Sequence, residues 1–195
     1  MNYLLFAALG MALLMSIGGT AAAQNVPANA GDDSLYFVTY YSNDVAGAPD
    51  AVVRIINDGD FNNGGGPLIT LTAGMYVFDD SEELTECCYC NVSPDGLLSE
   101  DVKTQLTANP ITGKVPTRGV IKVVSYWSTD NVHLTEPGLR AWATHVHAAG
   151  KNAYAITESK FADAILSGKE ETLLQNLCSY DALPSGQPCT CTPKD

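Results

Sequence analysis

Six cysteines fall in two tight triplets, Cys87, Cys88 and Cys90 in the middle of the chain and Cys178, Cys189 and Cys191 near its end. A bridge between the two groups would close a loop of roughly 90 to 100 residues, for which loop entropy gives about 4 kcal/mol for a single bridge and less for each further one. Adjacent cysteines such as Cys87 and Cys88 strain a mutual disulfide, so each is expected to reach a distant partner. Three bridges between the clusters are the simplest of the possible connectivities, and they would tie a tail with little apolar content onto the body of the protein. The same residues also form C-C-x-C and C-x-C, soft thiolate sets suited to zinc or Cu(I) or to redox chemistry. The context of the first residues favours bridges, because disulfides persist in exported proteins.

That context is an apolar run from Leu4 to Ile17 followed by Ala21, Ala22 and Ala23. The run is too short for a comfortable membrane span and has signal-peptide length, with a small-residue cleavage site before Gln24. Residues 1–23 are therefore expected to be a signal peptide and 24–34 a flexible leader rich in Asn, Gly and Asp. Residues 35–195 then make one domain of roughly 160 residues, enough to bury a core. No second apolar segment approaches the length of a membrane helix, so the mature protein is expected to be secreted, periplasmic or extracellular. The net charge of −12 repels phosphate backbones and argues against nucleic-acid binding.

Short β-branched and aromatic runs separated by Gly, Pro and Asn turns predict strands over Leu35–Tyr41, Ala51–Asn57, Leu68–Asp79 and Gly119–Trp127. Gly74 reads as a bulge or a point of close approach. Ser93-Pro94-Asp95-Gly96 reads as a turn in which Gly takes positive φ. Leu97–Leu106 is weakly strand-like, and Leu139–Ala148 with Ala153–Glu158 reads as a hairpin. Ser167 followed by Glu170 is a capping box that opens a helix over about 168–180, with Leu173, Leu174, Leu177 and Cys178 as its apolar stripe. Together these predict a mainly β protein: an antiparallel, Ig-like β-sandwich of seven to nine strands with one short C-terminal helix and a disulfide-stapled tail.

Candidate chemistry is sparse. His145 and His147, two apart, would share one strand face and could ligate a metal, although a solvated face explains them as well. Asp58, Asp60 and Asn62 have the 1, 3, 5 spacing of a calcium loop, but Asn63 and Ile69 stand where that loop needs Gly and Glu. Tyr36, Tyr40, Tyr41, Trp127 and Trp142 could line a face for a protein or a surface glycan, or simply pack the core. No nucleophile elbow or zinc-protease helix occurs. The reading is an exported, non-enzymatic domain without a cofactor, acting in surface structure, adhesion or protein interaction. Its alternatives are a fibre subunit that self-assembles by strand addition and a metal-binding or redox protein using the cysteines.

The stretch from Met75 to Ser125 carries VFD, E-C-C-x-C, P-D-G-L, L-T-A-N-P-I-T-G and G-V-I-K, followed later by L-R-A-W-x-T-H-V and a terminal C-T-C. Over about Val53 to Cys191 these motifs resemble an uncharacterised family of small secreted bacterial proteins. The resemblance implies export and a shared cysteine framework, and it brings no activity and no functional residue with it.

Overall fold

The computed structural model describes residues 35–43, 45–59, 66–107, 115–129 and 132–178, all within the compact unit Asp32–Asp195. Strands β1 (Tyr36–Ser42), β2 (Val52–Asn57), β3 (Leu71–Asp79), β4 (Leu84–Val92) and β5 (Leu97–Asp101) lead into a π-helical turn, Val102–Leu106. Then come β6 (Arg118–Thr129), β7 (Val132–Thr135), β8 (Leu139–Gly150), β9 (Ala153–Lys160), β10 (Ala162–Ala164) and the helix α1 (Gly168–Leu177). Ten strands are thus described where seven to nine were expected. Those not read from the sequence are β4, whose residues were read for their cysteines, and the short β7 and β10.

The strands form two antiparallel sheets, one ordered β10-β1-β6-β3-β4 with β7 on β6, the other β5-β2-β8-β9. Phe37, Met75, Ile121 and Val123 from the first sheet meet Val53, Ile55, Leu139 and Ala141 from the second in the main core, making a β-sandwich. Asn57, almost fully buried, pins the sheets together: its Nδ2 donates to the carbonyls of Ile69 at 2.9 Å and Val92 at 3.0 Å, and its Oδ1 accepts from Gly59 N. A buried amide is tolerated when every group is satisfied in this way.

The first sheet is covered on both faces. Its outer face gathers Tyr36, Tyr76, Tyr89, Val124 and Tyr126 under Leu174 and Cys178 of the helix end. This explains why the central strand β3 is an almost unbroken apolar run: a strand with two covered faces has no solvent side to mark by alternation. Gly74 is the expected close approach, since a Cβ there would stand 2.7 Å from Tyr126 Cε2. The bulge itself falls elsewhere, between Val77 and Phe78.

Three local expectations are corrected. In the Ser93–Gly96 turn, which closes with Gly96 N donating to Ser93 O at 2.8 Å, Asp95 rather than Gly96 takes the positive φ, at 58°. Asp tolerates that region because its short side chain interacts locally. Leu97–Leu106 is a strand only to Asp101, where the Asp50 carboxylate accepts from Lys103 N and Thr104 N and caps the π turn. The helix ends at Leu177 rather than near 180, with Cys178 in extended geometry, and Leu173 and Leu177 are exposed, so Leu174 and Cys178 carry the apolar packing of this segment.

Candidate functional site

The β8–β9 hairpin ends the second sheet. Alternation along β8 puts Leu139, Ala141, Ala143 and His145 on one face, as the pattern of the segment implies, and that face turns inward. His145 is therefore not on a solvated face: it is 2 % exposed, and its ring stacks on Tyr40 with centroids 4.2 Å apart. His145 Nε2 shares a hydrogen bond of 2.8 Å with Ser159 Oγ, and His147 Nε2 one of 3.1 Å with Thr157 Oγ1. Burial, aided by the neighbouring His147, holds the His145 imidazole below its ordinary pKa, so the neutral ring is favoured. Of the aromatic residues considered for a recognition face, Tyr36 and Tyr41 are core, Trp127 packs against the core, and Tyr40 stays half exposed.

Beyond this ring cluster, β9 has no buried residue along its eight positions. It pairs with β8 on one side, and no strand lies on the other among the described residues. Tyr154 and Ile156, both close to half exposed, point to one face of the strand together with Glu158. The Glu158 carboxylate accepts from Arg54 Nη1 at 2.6 Å.

The cysteines follow the pleat of β4. Cys88 and Cys90 point into the main core, while Cys87 points to the outer face and is bonded to Cys178. This bridge spans 91 residues and joins the two cysteine groups. Cys88 and Cys90 are disulfide-bonded too, which takes their sulfurs out of thiolate chemistry. Cys189 and Cys191 lie outside the described residues. Around the bridge, the Tyr76 hydroxyl lies 3.0 Å from that of Tyr89 and 3.2 Å from that of Tyr126, and burial raises its pKa. The capping box is half closed: Ser167 Oγ accepts from Glu170 N at 3.2 Å, but the Glu170 carboxylate turns to the sheet. There it accepts from Lys122 Nζ at 2.6 Å and from the Tyr36 hydroxyl at 3.2 Å.

Next to this bridge, burial lifts the Glu86 carboxyl from 4.5 to about 7, partly offset by the Cys87 backbone N–H that donates to it at 3.1 Å. A group with a raised folded pKa stabilises the fold fully below its unfolded pKa and loses that contribution as pH rises through the folded value. Glu86 therefore weakens the fold progressively from about pH 4.5 to pH 7. Glu86→Gln is expected to be about 1 kcal/mol more stable than the parent at pH 8, a figure discounted for the water that still reaches the group. Urea unfolding across that pH range checks it, and an unchanged pH slope in the variant would refute it. His145 works in the opposite sense, its contribution being lost as pH falls below 6.5.

Of the calcium-like spacing only Asp58 lies among the described residues. Asp58 Oδ2 accepts from Arg140 Nη2 at 2.7 Å, with both side chains largely shielded. Asp60 and Asn62 lie outside the described residues. Among the described residues no three His, Cys, Asp or Glu side chains are grouped as a metal site would need, and no helix is long and apolar enough to cross a membrane. A shallow cleft of about 410 Å³ between the β1–β2 loop and the π turn is lined by Val45, Pro49 and Pro116 with Asn43, Asp50 and Lys103 at its polar side.

Comparison with protein-family models, with curated proteins and with solved structures finds no match to this chain.

Proposed function

We propose that the protein is an exported, non-enzymatic interaction domain that acts at the cell surface or in the extracellular space, and that its recognition element is the outer edge of β9, which has no neighbouring strand among the described residues. The observation that carries this reading is the edge itself. Natural sheets protect their edge strands with proline, bulges, inward charges or a covering loop, because unpaired N–H and C=O groups recruit other strands. From Ala153 to Lys160 there is no proline, the pairing irregularity sits back at the turn between Ala148 and Gly150, and Lys160 comes only at the last position. An extended segment added here would take its affinity from main-chain hydrogen bonds and its specificity from Tyr154 and Ile156. Export is supported by the apolar N-terminal run and by the disulfide framework.

Two measurements test it. The mass of the chain recovered outside the cytoplasm should correspond to one beginning at Gln24. Purified protein returned to stripped producing cells should bind their surface, and the double variant Tyr154→Lys, Ile156→Lys should bind at least tenfold less while unfolding at the same urea concentration. Equal binding by the variant would rule out the β9 edge. The fibre reading draws on the same edge and differs in its donor: deletion of Gln24 to Ser34 would abolish fibre growth if that segment supplied the added strand, and would leave an interaction domain unaffected.

A further inference from the structure

We propose that the strand which completes β9 is β9 of a second copy, paired antiparallel across a two-fold axis at Ile156. This rests on the strand-addition reading and names its partner. The charge distribution permits this partner at β9. The chain carries a net charge of −12, and the stretch from Asp79 to Asp101 holds eight acids and no base. That stretch runs through β4 and β5, which are the end strands of their sheets. In the second sheet β9 is the end strand on the opposite side from β5. Two copies joined at β9 therefore keep their acidic flanks as far apart as the sandwich allows, which lowers the like-charge repulsion between them. At the joint itself, Ala141 to Thr157 contains no acid and one base, Lys151. The Glu158 charge is already met by Arg54 of its own chain.

The pleat limits the register to axes at a residue position of β9. In an antiparallel pair, residues directly opposite share a face, so a two-fold axis perpendicular to the sheet must pass at a residue position of β9 and not between two. With Ile156 on the axis, Ile156 faces Ile156 of the second copy, and each Tyr154 lies diagonally against it, within reach of a long side chain. The four apolar groups that are now exposed singly become one cluster. Tyr154 then faces Glu158 of the second copy. Moving the axis to Thr157 would set each Ile156 against Glu158 instead and disperse the cluster. Such a two-fold contact is closed, giving a dimer with an eight-stranded sheet rather than a filament.

The test uses the mature, never-reduced protein in sedimentation velocity. The parent is expected to shift from monomer to dimer with a midpoint on the order of 10 μM, as befits a contact of one strand pair. Ile156→Lys and Ile156→Glu should each remain monomeric at about ten times that concentration, because each places like charges face to face, and an equimolar mixture of the two should recover the dimer. That recovery is specific to residue 156 facing itself. A dimer that persists in both single variants overturns the proposal, as does growth beyond the dimer, which would mean a head-to-tail contact. A parent that stays monomeric, but whose β9 amides slow in hydrogen exchange when an eight-residue extended Thr-Val peptide is added, overturns the second copy as partner and leaves strand addition standing. A monomer whose β9 amides ignore the peptide overturns both.

Discussion

Cys178→Ala is expected to lower the unfolding free energy by about 2 to 4 kcal/mol and to release α1 from the sheet. The bridge closes a 91-residue separation, so its loss returns a large loop to the unfolded chain, although other bridges in the same protein already restrict part of it. In the folded state the helix keeps, among the described residues, Leu174, the Lys122–Glu170 pair and the Tyr36–Glu170 hydrogen bond as attachments to the body. That pair is about three-quarters shielded on both sides, so it contributes more than an exposed pair but cannot replace a covalent bond. Below the helix lie the hydroxyls of Tyr76, Tyr89 and Tyr126, and water reaching them would erode the network that the helix seals. Urea unfolding gives the energy, and hydrogen exchange across residues 168–178 gives the release. Cys87→Ala should produce the same loss, and the double variant no more than either single one, since both remove one interaction. A loss below about 1 kcal/mol with unchanged helix protection would show that the staple does not hold α1.

Gly119→Ala should be more damaging still, costing more than about 3 kcal/mol or preventing folding. A Cβ at position 119 would stand 1.9 Å from the Phe78 carbonyl oxygen and 2.9 Å from Asp79 Cα. Both neighbours are backbone of β3, which pairs with β6 through Asp79 opposite Gly119. No side-chain rotation relieves such a contact, so the strands must part at the centre of the first sheet. Gly168→Ala is the control: nothing lies within 4 Å of its added Cβ, in the first turn of α1. It should be neutral or slightly stabilising, because Ala restricts the unfolded chain more than Gly does. Thermal unfolding of both variants checks the contrast, and equal midpoints would refute it.

The β-sandwich was legible because its central strands carry their own pattern. Val53 and Ile55 against Val52, Arg54 and Ile56, or the run from Gly119 to Trp127, need no partner to read as strands. The hairpin of β8 and β9 was legible for the same reason, whereas the sequence did not show that the face carrying Leu139, Ala141 and Ala143 turns inward. What that pattern could not convey is the depth of His145. A histidine alternating with small residues looks the same on a wet face as on a dry one, and its burial depends on Tyr40, which arrives from the other sheet. The helix stripe failed in the opposite direction. Leu173 and Leu177 are apolar at helical spacing, yet the contact is narrow enough to cover only Leu174 and Cys178.

The candidate site was less legible than the fold. Eight residues from Ala153 to Lys160 read as a strand, but whether a strand is central or at an edge depends on where the rest of the chain goes. Here the chain leaves β9 at Phe161 and crosses to pair β10 with β1 in the first sheet, leaving the outer side of β9 without a described neighbour.

By itself, then, the sequence determined the strands with a strong pattern of their own, most turn positions, the helix start at Ser167 and the clustering of cysteines, since these depend on local periodicity and on covalent chemistry. Tertiary structure alone decided that Cys87 turns outward to Cys178 while Cys88 and Cys90 turn into the core. It also decided that Glu170 leaves its capping box for Lys122 and Tyr36, and that β9 stands at an edge. Each of these turns on which surfaces meet across many residues, and long-range contact is a property of the packed chain that no short window of sequence contains.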